Sequence, residues 1–132
     1  MKAQDTYPHV DAYLFVDKHP WAPFAVGWLW RVPKCPFCGK KHVHGGGNVL
    51  EAPAPWHLGL RVPHCLKSAP TDYYLVDADQ AASIQIKRQA RAKLAAAIRA
   101  GNRTARRIVE RARMELAARR AARKRYAAPA PL

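Results

Sequence analysis

The sequence predicts an α+β chain: a small, β-rich N-terminal domain stapled at a Cys/His stretch, followed by a long basic C-terminal helix or helical pair. Three observations predict it. All three cysteines and four of the six histidines fall between Cys35 and Cys65. All four tryptophans, and every other aromatic residue except Tyr126, precede residue 75. Residues 87–132 hold fifteen of the twenty-three lysines and arginines against two acids, Glu110 and Glu115. The expected division is a β-rich domain over 1–77, an Ala/Arg-rich helical arm over 78–126 and a disordered tail over 127–132.

Taken in order, residues 1–10 read as a lead-in. Ala12 to Val16 is rich in aromatic and branched residues and reads as a first strand. Asp17 to Pro20 reads as a polar turn. Phe24 to Val32 reads as a second strand, ended by Pro33. Alternation puts Trp28 and Trp30 on one face of it with Phe24 and Val26. Burial is favoured over a base-stacking platform for the tryptophans, because so small a domain has few large apolar residues to spare. His42 to His44 reads as a third short strand and Gly45 to Gly47 as a flexible loop. Ala52 to Trp56 reads as an extended linker, Gly59 to Val62 as a fourth strand and Tyr73 to Val76 as a fifth.

From Asp77 the character changes. Asp77 or Asp79 can cap a helix. Alanine and arginine, strong helix formers, then dominate. The expected helix runs from about Ala78 to Ala100. Gly101 and Asn102 break it, and Asn102 can cap a second helix reaching about Tyr126. The second helix carries a stripe of Ala105, Ile108, Val109, Ala112 and Leu116 at helical spacing; the first carries a weaker one of Ala90, Leu94, Ala97 and Ile98.

The Cys/His stretch carries the chemistry. A tetrahedral zinc ion takes four nitrogen or sulfur ligands. Cys35 and Cys38, two residues apart, can turn both sulfurs to one ion. Pro36 stiffens the turn, and Gly39 lets the backbone aim amide hydrogens at the thiolates. His42 and His44 lie on one face of a strand, and either can be the third ligand. His64 and Cys65 are adjacent and face opposite ways, so one of them supplies the fourth. The expected set is Cys35, Cys38, His44 and Cys65, with His42 and His64 as substitutes. A redox reading of Cys35 and Cys38 would need a helix starting at the first cysteine; G-K-K-H-V-H-G-G-G cannot form one. Three cysteines, an odd number, with no secretion signal ahead of them, argue against a disulfide framework. His9, His19 and His57 have no ligand-like spacing and read as ordinary surface or core residues.

The pattern C-P-x-C-G-x-x-H-x-H-G followed by R-x-x-H-C resembles small zinc-ribbon proteins of actinobacteria and their phages. Cys35, Pro36, Cys38, Gly39, His42, His44, Gly45, Arg61, His64 and Cys65 carry the resemblance, which covers about thirty residues. The resemblance implies a bound metal and little else, and its retained histidines leave the third and fourth ligands open.

Charge bounds the function. The chain of 132 residues carries a net charge of +14, with a pI near 10.4. Residues 1–86 balance eight basic against seven acidic residues, so nearly all the excess lies in the arm. Its cations are Lys87, Arg88, Arg91, Lys93, Arg99, Arg103, Arg106, Arg107, Arg111, Arg113, Arg119, Arg120, Arg123, Lys124 and Arg125. Cations so placed repel one another until a polyanion neutralises them, and nucleic acid is the commonest such partner. Guanidinium forks match phosphate oxygens and stack on bases. A membrane-surface helix would need large apolar residues opposite the charge, where alanine is a poor anchor. The longest apolar run, Phe24 to Trp30, is short for a membrane span. A reducing cytoplasm is the expected location.

The leading expectation is a non-enzymatic nucleic-acid-binding protein acting on DNA or structured RNA such as rRNA, and in build the chain resembles ribosome-associated proteins. The alternative is an interaction module docking on a large protein or ribonucleoprotein machine such as a polymerase or ribosome. The third is a metal-dependent nuclease using Glu51, the lone acid between Asp17 and Asp72. Under the first reading, removing residues 87–132 should abolish nucleic-acid affinity and leave a folded zinc domain.

Overall fold

Five strands and two helices follow one another along the chain. The computed structural model describes residues 7–22, 24–51, 58–65 and 69–126. The lead-in before Tyr7, the linker Ala52 to Trp56, His57 and the tail 127–132 lie outside the described residues. The strands are β1 (His9–Lys18), β2 (Ala25–Val32), β3 (His42–Asn48), β4 (Gly59–Arg61) and β5 (Tyr73–Asp77); the helices are α1 (Gln80–Arg99) and α2 (Arg103–Tyr126). The sheet order is β3-β2-β1-β5-β4. β1 pairs antiparallel with β2 and parallel with β5; the remaining pairs are antiparallel. The α+β class expected from the sequence therefore holds.

β1 is longer than the apolar run Ala12 to Val16 suggests. It starts inside the expected lead-in and takes up Asp17 and Lys18, which were expected in a turn. As the central strand it has ladder partners on both sides. β5 pairs with its first half, from His9 to Ala12, and β2 with Tyr13 to Lys18.

Register shows which side chains share a face. Leu14 faces Trp30, Val16 faces Trp28 and Val10 faces Leu75. With Ala12, Val32 and Tyr73 they form the inner face, where Trp28 and Trp30 are each only 1% exposed. The other face carries Tyr13 opposite Arg31 and Asp11 opposite Val76, and Tyr13, Arg31 and Val76 are exposed.

The glycine run is not a flexible loop. Gly45 pairs with Leu29 and Gly47 with Trp28, with a bulge between them. A Cβ on Gly46 would lie 3.1 Å from the Trp28 Cβ, so glycine lets β3 press against that residue.

The sheet is rolled. Four inter-strand steps would hold β3 and β4 about 19 Å apart in a flat sheet. Yet Arg61 of β4 donates from Nη2 to the Gly45 carbonyl of β3 at 3.2 Å. His44 of β3 likewise meets Tyr73 of β5, Nε2 to hydroxyl, at 2.5 Å. Side chains bridge the edges only because the inner face is strongly concave.

The helices close one end of this face. The Asp79 carboxylate accepts from the Ala82 amide at 3.0 Å and caps α1. Gly101, with φ +80°, ends α1, and the Asn102 amide donates back to the Ala97 carbonyl at 3.0 Å. The Asn102 side chain then accepts from Ala105 N at 3.0 Å, capping α2. Ala90, Leu94, Ala105, Val109 and Ala112 are buried in the same cluster as Phe24, Ala25 and Trp28. Asn48 fastens the junction, donating to the Ala112 carbonyl at 2.8 Å. Across the division expected at residue 78, both helices share the core of the sheet.

Candidate metal centre and the basic helices

The other end of the concave face holds the cysteines. β2 ends at Val32 and the chain turns through Cys35 to Gly39 before β3 returns. Gly39, with φ +72°, closes that turn, and its amide donates to the Cys35 carbonyl at 2.9 Å. Phe37 N points at Cys35 Sγ and Lys40 N at Cys38 Sγ, each at 3.4 Å. These amide hydrogens are placed to stabilise thiolates. β4 delivers Cys65 from the opposite edge of the sheet, and its Sγ lies 3.6 Å from Cys35 Sγ. His42 Nε2 is 3.2 Å from Cys38 Sγ. The donor atoms of Cys35, Cys38, His42 and Cys65 all lie within 4.8 Å of one another, an arrangement that can hold a metal ion.

The histidine in this group is His42, where the sequence favours His44. Both point to the inner face, because His42 pairs with Val32 and His44 with Trp30. Two residues along a strand displace a side chain by about 7 Å. His42 is therefore level with the knuckle, whereas His44 is one pleat further on, against the Tyr73 hydroxyl. His64, the other substitute, lies outside the donor group. Its ring stacks on His42 at 5.8 Å and tilts against His44 at 4.9 Å.

The electrostatics follow from burial and crowding. Burial pushes the Cys35 thiol up, but the amides of Cys38 and Phe37 and the neighbouring sulfurs outweigh it, and the net shift is downward. Partial burial and the Cys35 and Cys38 sulfurs raise Cys65 to about 11. Burial, then His64, lowers His42. Burial, followed by His64, Arg61 and His42, lowers His44 to about 4, so its ring is neutral at pH 7. Tyr73 is raised by burial and by the nearby sulfurs. Sequence reasoning missed Tyr73. The signal was present in the Y-Y pair of the fifth strand, since alternation must turn one of two adjacent tyrosines inward.

The arm's cations are spread along both helices. Arg88, Arg91, Lys93 and Arg99 of α1 are exposed and Lys87 is half-buried. Arg103, Arg106, Arg107, Arg111, Arg113, Arg119, Arg120, Arg123, Lys124 and Arg125 of α2 are exposed. Among the described residues, Arg111 lies 3.8 Å from Glu115, and Arg119 Nη1 is 3.0 Å from Glu51 Oε1. Among the described residues no helix is long and apolar enough to cross a membrane.

No protein-family model matches the chain, and neither the curated proteins nor the solved structures contain a match.

Proposed function

We infer that this chain is a non-enzymatic, zinc-containing protein that binds nucleic acid through phosphate-led contacts of its helices. The observation that carries the reading is the surface of α1 and α2. Fourteen of the fifteen cations between Lys87 and Arg125 are exposed, against two acids within the same stretch. Such a surface attracts a polyanion and releases its counterions on binding. DNA and structured RNA such as rRNA both meet that description.

Zinc suits the donor set. Three sulfurs and one imidazole match a structural site, and Zn–S bonds of about 2.3 Å in a tetrahedron put two sulfurs about 3.8 Å apart. The 3.6 Å between Cys35 and Cys65 agrees with that spacing. The amide-to-sulfur contacts of Phe37 and Lys40 support the zinc-ribbon resemblance at the knuckle. With Cys35, Cys38, His42 and Cys65 as ligands the ion would keep no open position, and its role would be to clasp the rolled sheet. The Glu51 carboxylate meets Arg119 of α2, and among the described residues the donor group contains no carboxylate, which weighs against the nuclease reading.

Native purification tests the reading. One zinc per chain is expected, with co-purifying nucleic acid that raises the 260/280 nm absorbance ratio and leaves in high salt. Metal-free, well-folded protein with no nucleic acid at any stage would overturn it. One observation favours a docking module instead. The outer sheet face exposes Tyr13, Leu60 and Val76, which fits a protein surface. In that case a stoichiometric protein partner survives both nuclease and high salt.

A further inference from the structure

Resting on the nucleic-acid reading, we propose that the last turns of α2 enter the major groove of duplex DNA, with the rest of the molecule outside it. The argument begins where burial stops. Along α2 the buried stripe ends at Ala112, and Leu116 is half-buried. From Ala117 to Arg125 every residue is exposed except half-buried Ala122. These nine residues form a helical overhang about 14 Å long. Arg119 braces its root against Glu51 at 3.0 Å.

The overhang is not uniformly basic. At 3.6 residues per turn, Ala117 and Ala121 share a stripe pointing away from the buried side. Arg113, Arg120 and Lys124 flank it on one side, Arg125 on the other. Small residues on the outermost line let a backbone approach a surface closely, while long cationic arms on both flanks reach sideways. A helix lying on one flat anionic surface needs cations along a single line. A helix inside a groove needs them on both walls.

The dimensions select the groove. An α-helix with side chains is about 10–12 Å across, and the major groove of B-form DNA is about 12 Å wide, with phosphates along both walls. The major groove of A-form RNA is deep and too narrow for side chains to read. The alanine line offers methyl groups to thymine methyls and no hydrogen-bonding code, so binding would be weakly sequence-selective.

The test is fluorescence anisotropy of the full chain with a mixed-sequence 20-bp DNA duplex and the matching RNA duplex, over a salt series. DNA should bind about tenfold more tightly than RNA. Replacing Arg113, Arg120 and Arg125 together by Gln should lower the salt slope on DNA by about 3, one for each phosphate no longer neutralised. Ala121→Trp, an exposed change that plugs the outer line, should weaken DNA binding about tenfold and leave RNA binding unchanged. Replacing Arg88, Arg91 and Arg99 by Gln should change DNA affinity less than the α2 triple does. Equal or tighter RNA binding, or an Ala121→Trp protein indistinguishable from the parent, overturns the groove assignment and leaves nucleic-acid binding standing. Failure to bind either duplex at about 50 mM salt, where such contacts are strong, removes both.

Discussion

The two ends of the rolled sheet are closed by different physics. At the cysteine end a few donor atoms converge: three sulfurs and His42, beside the His44–Tyr73 pair and the Arg61 reach to Gly45. At the helix end, closure is by area. Ala90, Leu94, Ala105, Val109 and Ala112 pack on Phe24, Ala25 and Trp28, with Asn48 as the polar tie. Directional donors fail all at once when one is removed; apolar area fails in proportion to what is taken away. The comparison also shows why the basic arm is alanine-rich. Small side chains let two arginine-covered helices lie close to the sheet without burying a charge.

Removing the helical end has the largest expected effect. A chain ending at Asp79 would expose the Trp28 side of the core and leave the Asn48 side chain without the Ala112 carbonyl. The sequence alone suggests that a folded metal domain survives loss of the arm; the shared core predicts the opposite. The truncated protein should show no cooperative thermal transition by tryptophan fluorescence, even with zinc present. A sharp transition near that of the full chain would show that the two ends are independent.

Opening the cysteine end comes next. Chelation, or Cys35→Ser, should cost several kcal/mol, since binding to a structural zinc site contributes directly to folding free energy. Far-UV circular dichroism should keep part of the helical signal while the near-UV tryptophan signal collapses, because α1 and α2 make their hydrogen bonds locally. Retention of both signals in zinc-free protein would remove the clasp from the fold.

How far the sequence reveals these two ends depends on the range of the contacts. Local signals carry well. The tryptophans of β2 are buried as alternation predicts, and the break at Gly101 and Asn102 follows from a left-handed glycine and a capping side chain. The Cys35–Gly39 turn is legible because Gly39 and two cysteines at short spacing allow few alternatives. Long-range placement is not legible. Nothing in H-V-D-A or Y-Y-L-V states that β1 lies parallel to β5, nor that the sheet curls until β3 and β5 touch. The choice between His42 and His44 fails for the same reason. Alternation puts both on the inner face; only the hairpin register says which is level with the sulfurs.

The two histidines therefore sharpen the comparison within the cysteine end itself. His42→Phe removes a donor and should weaken zinc binding by more than about 100-fold in chelator competition, beyond what loss of a supporting hydrogen bond costs. His44→Phe should keep one zinc per chain. Its cost should be about 1–3 kcal/mol of stability, because the buried Tyr73 hydroxyl loses its partner. The double variant His44→Phe with Tyr73→Phe should recover part of that loss, since no polar group is then left unpaired. Zinc loss in His44→Phe equal to that in His42→Phe would reassign the ligand.

The smallest expected effect lies at the helix end, in the brace between Glu51 and Arg119. The two side chains meet at 3.0 Å, but Arg119 is half exposed, and exposed pairs contribute at most about 1 kcal/mol. Glu51 also holds the chain through its backbone carbonyl, which accepts from the Trp28 indole at 2.6 Å, and a side-chain substitution leaves that bond in place. Glu51→Gln should thus lower stability by about 0.5 kcal/mol or less at low salt, with the difference shrinking as salt is added. A drop of several kcal/mol would mean that this end, too, hangs on a single polar pair, and the contrast between donor-closed and area-closed ends would disappear.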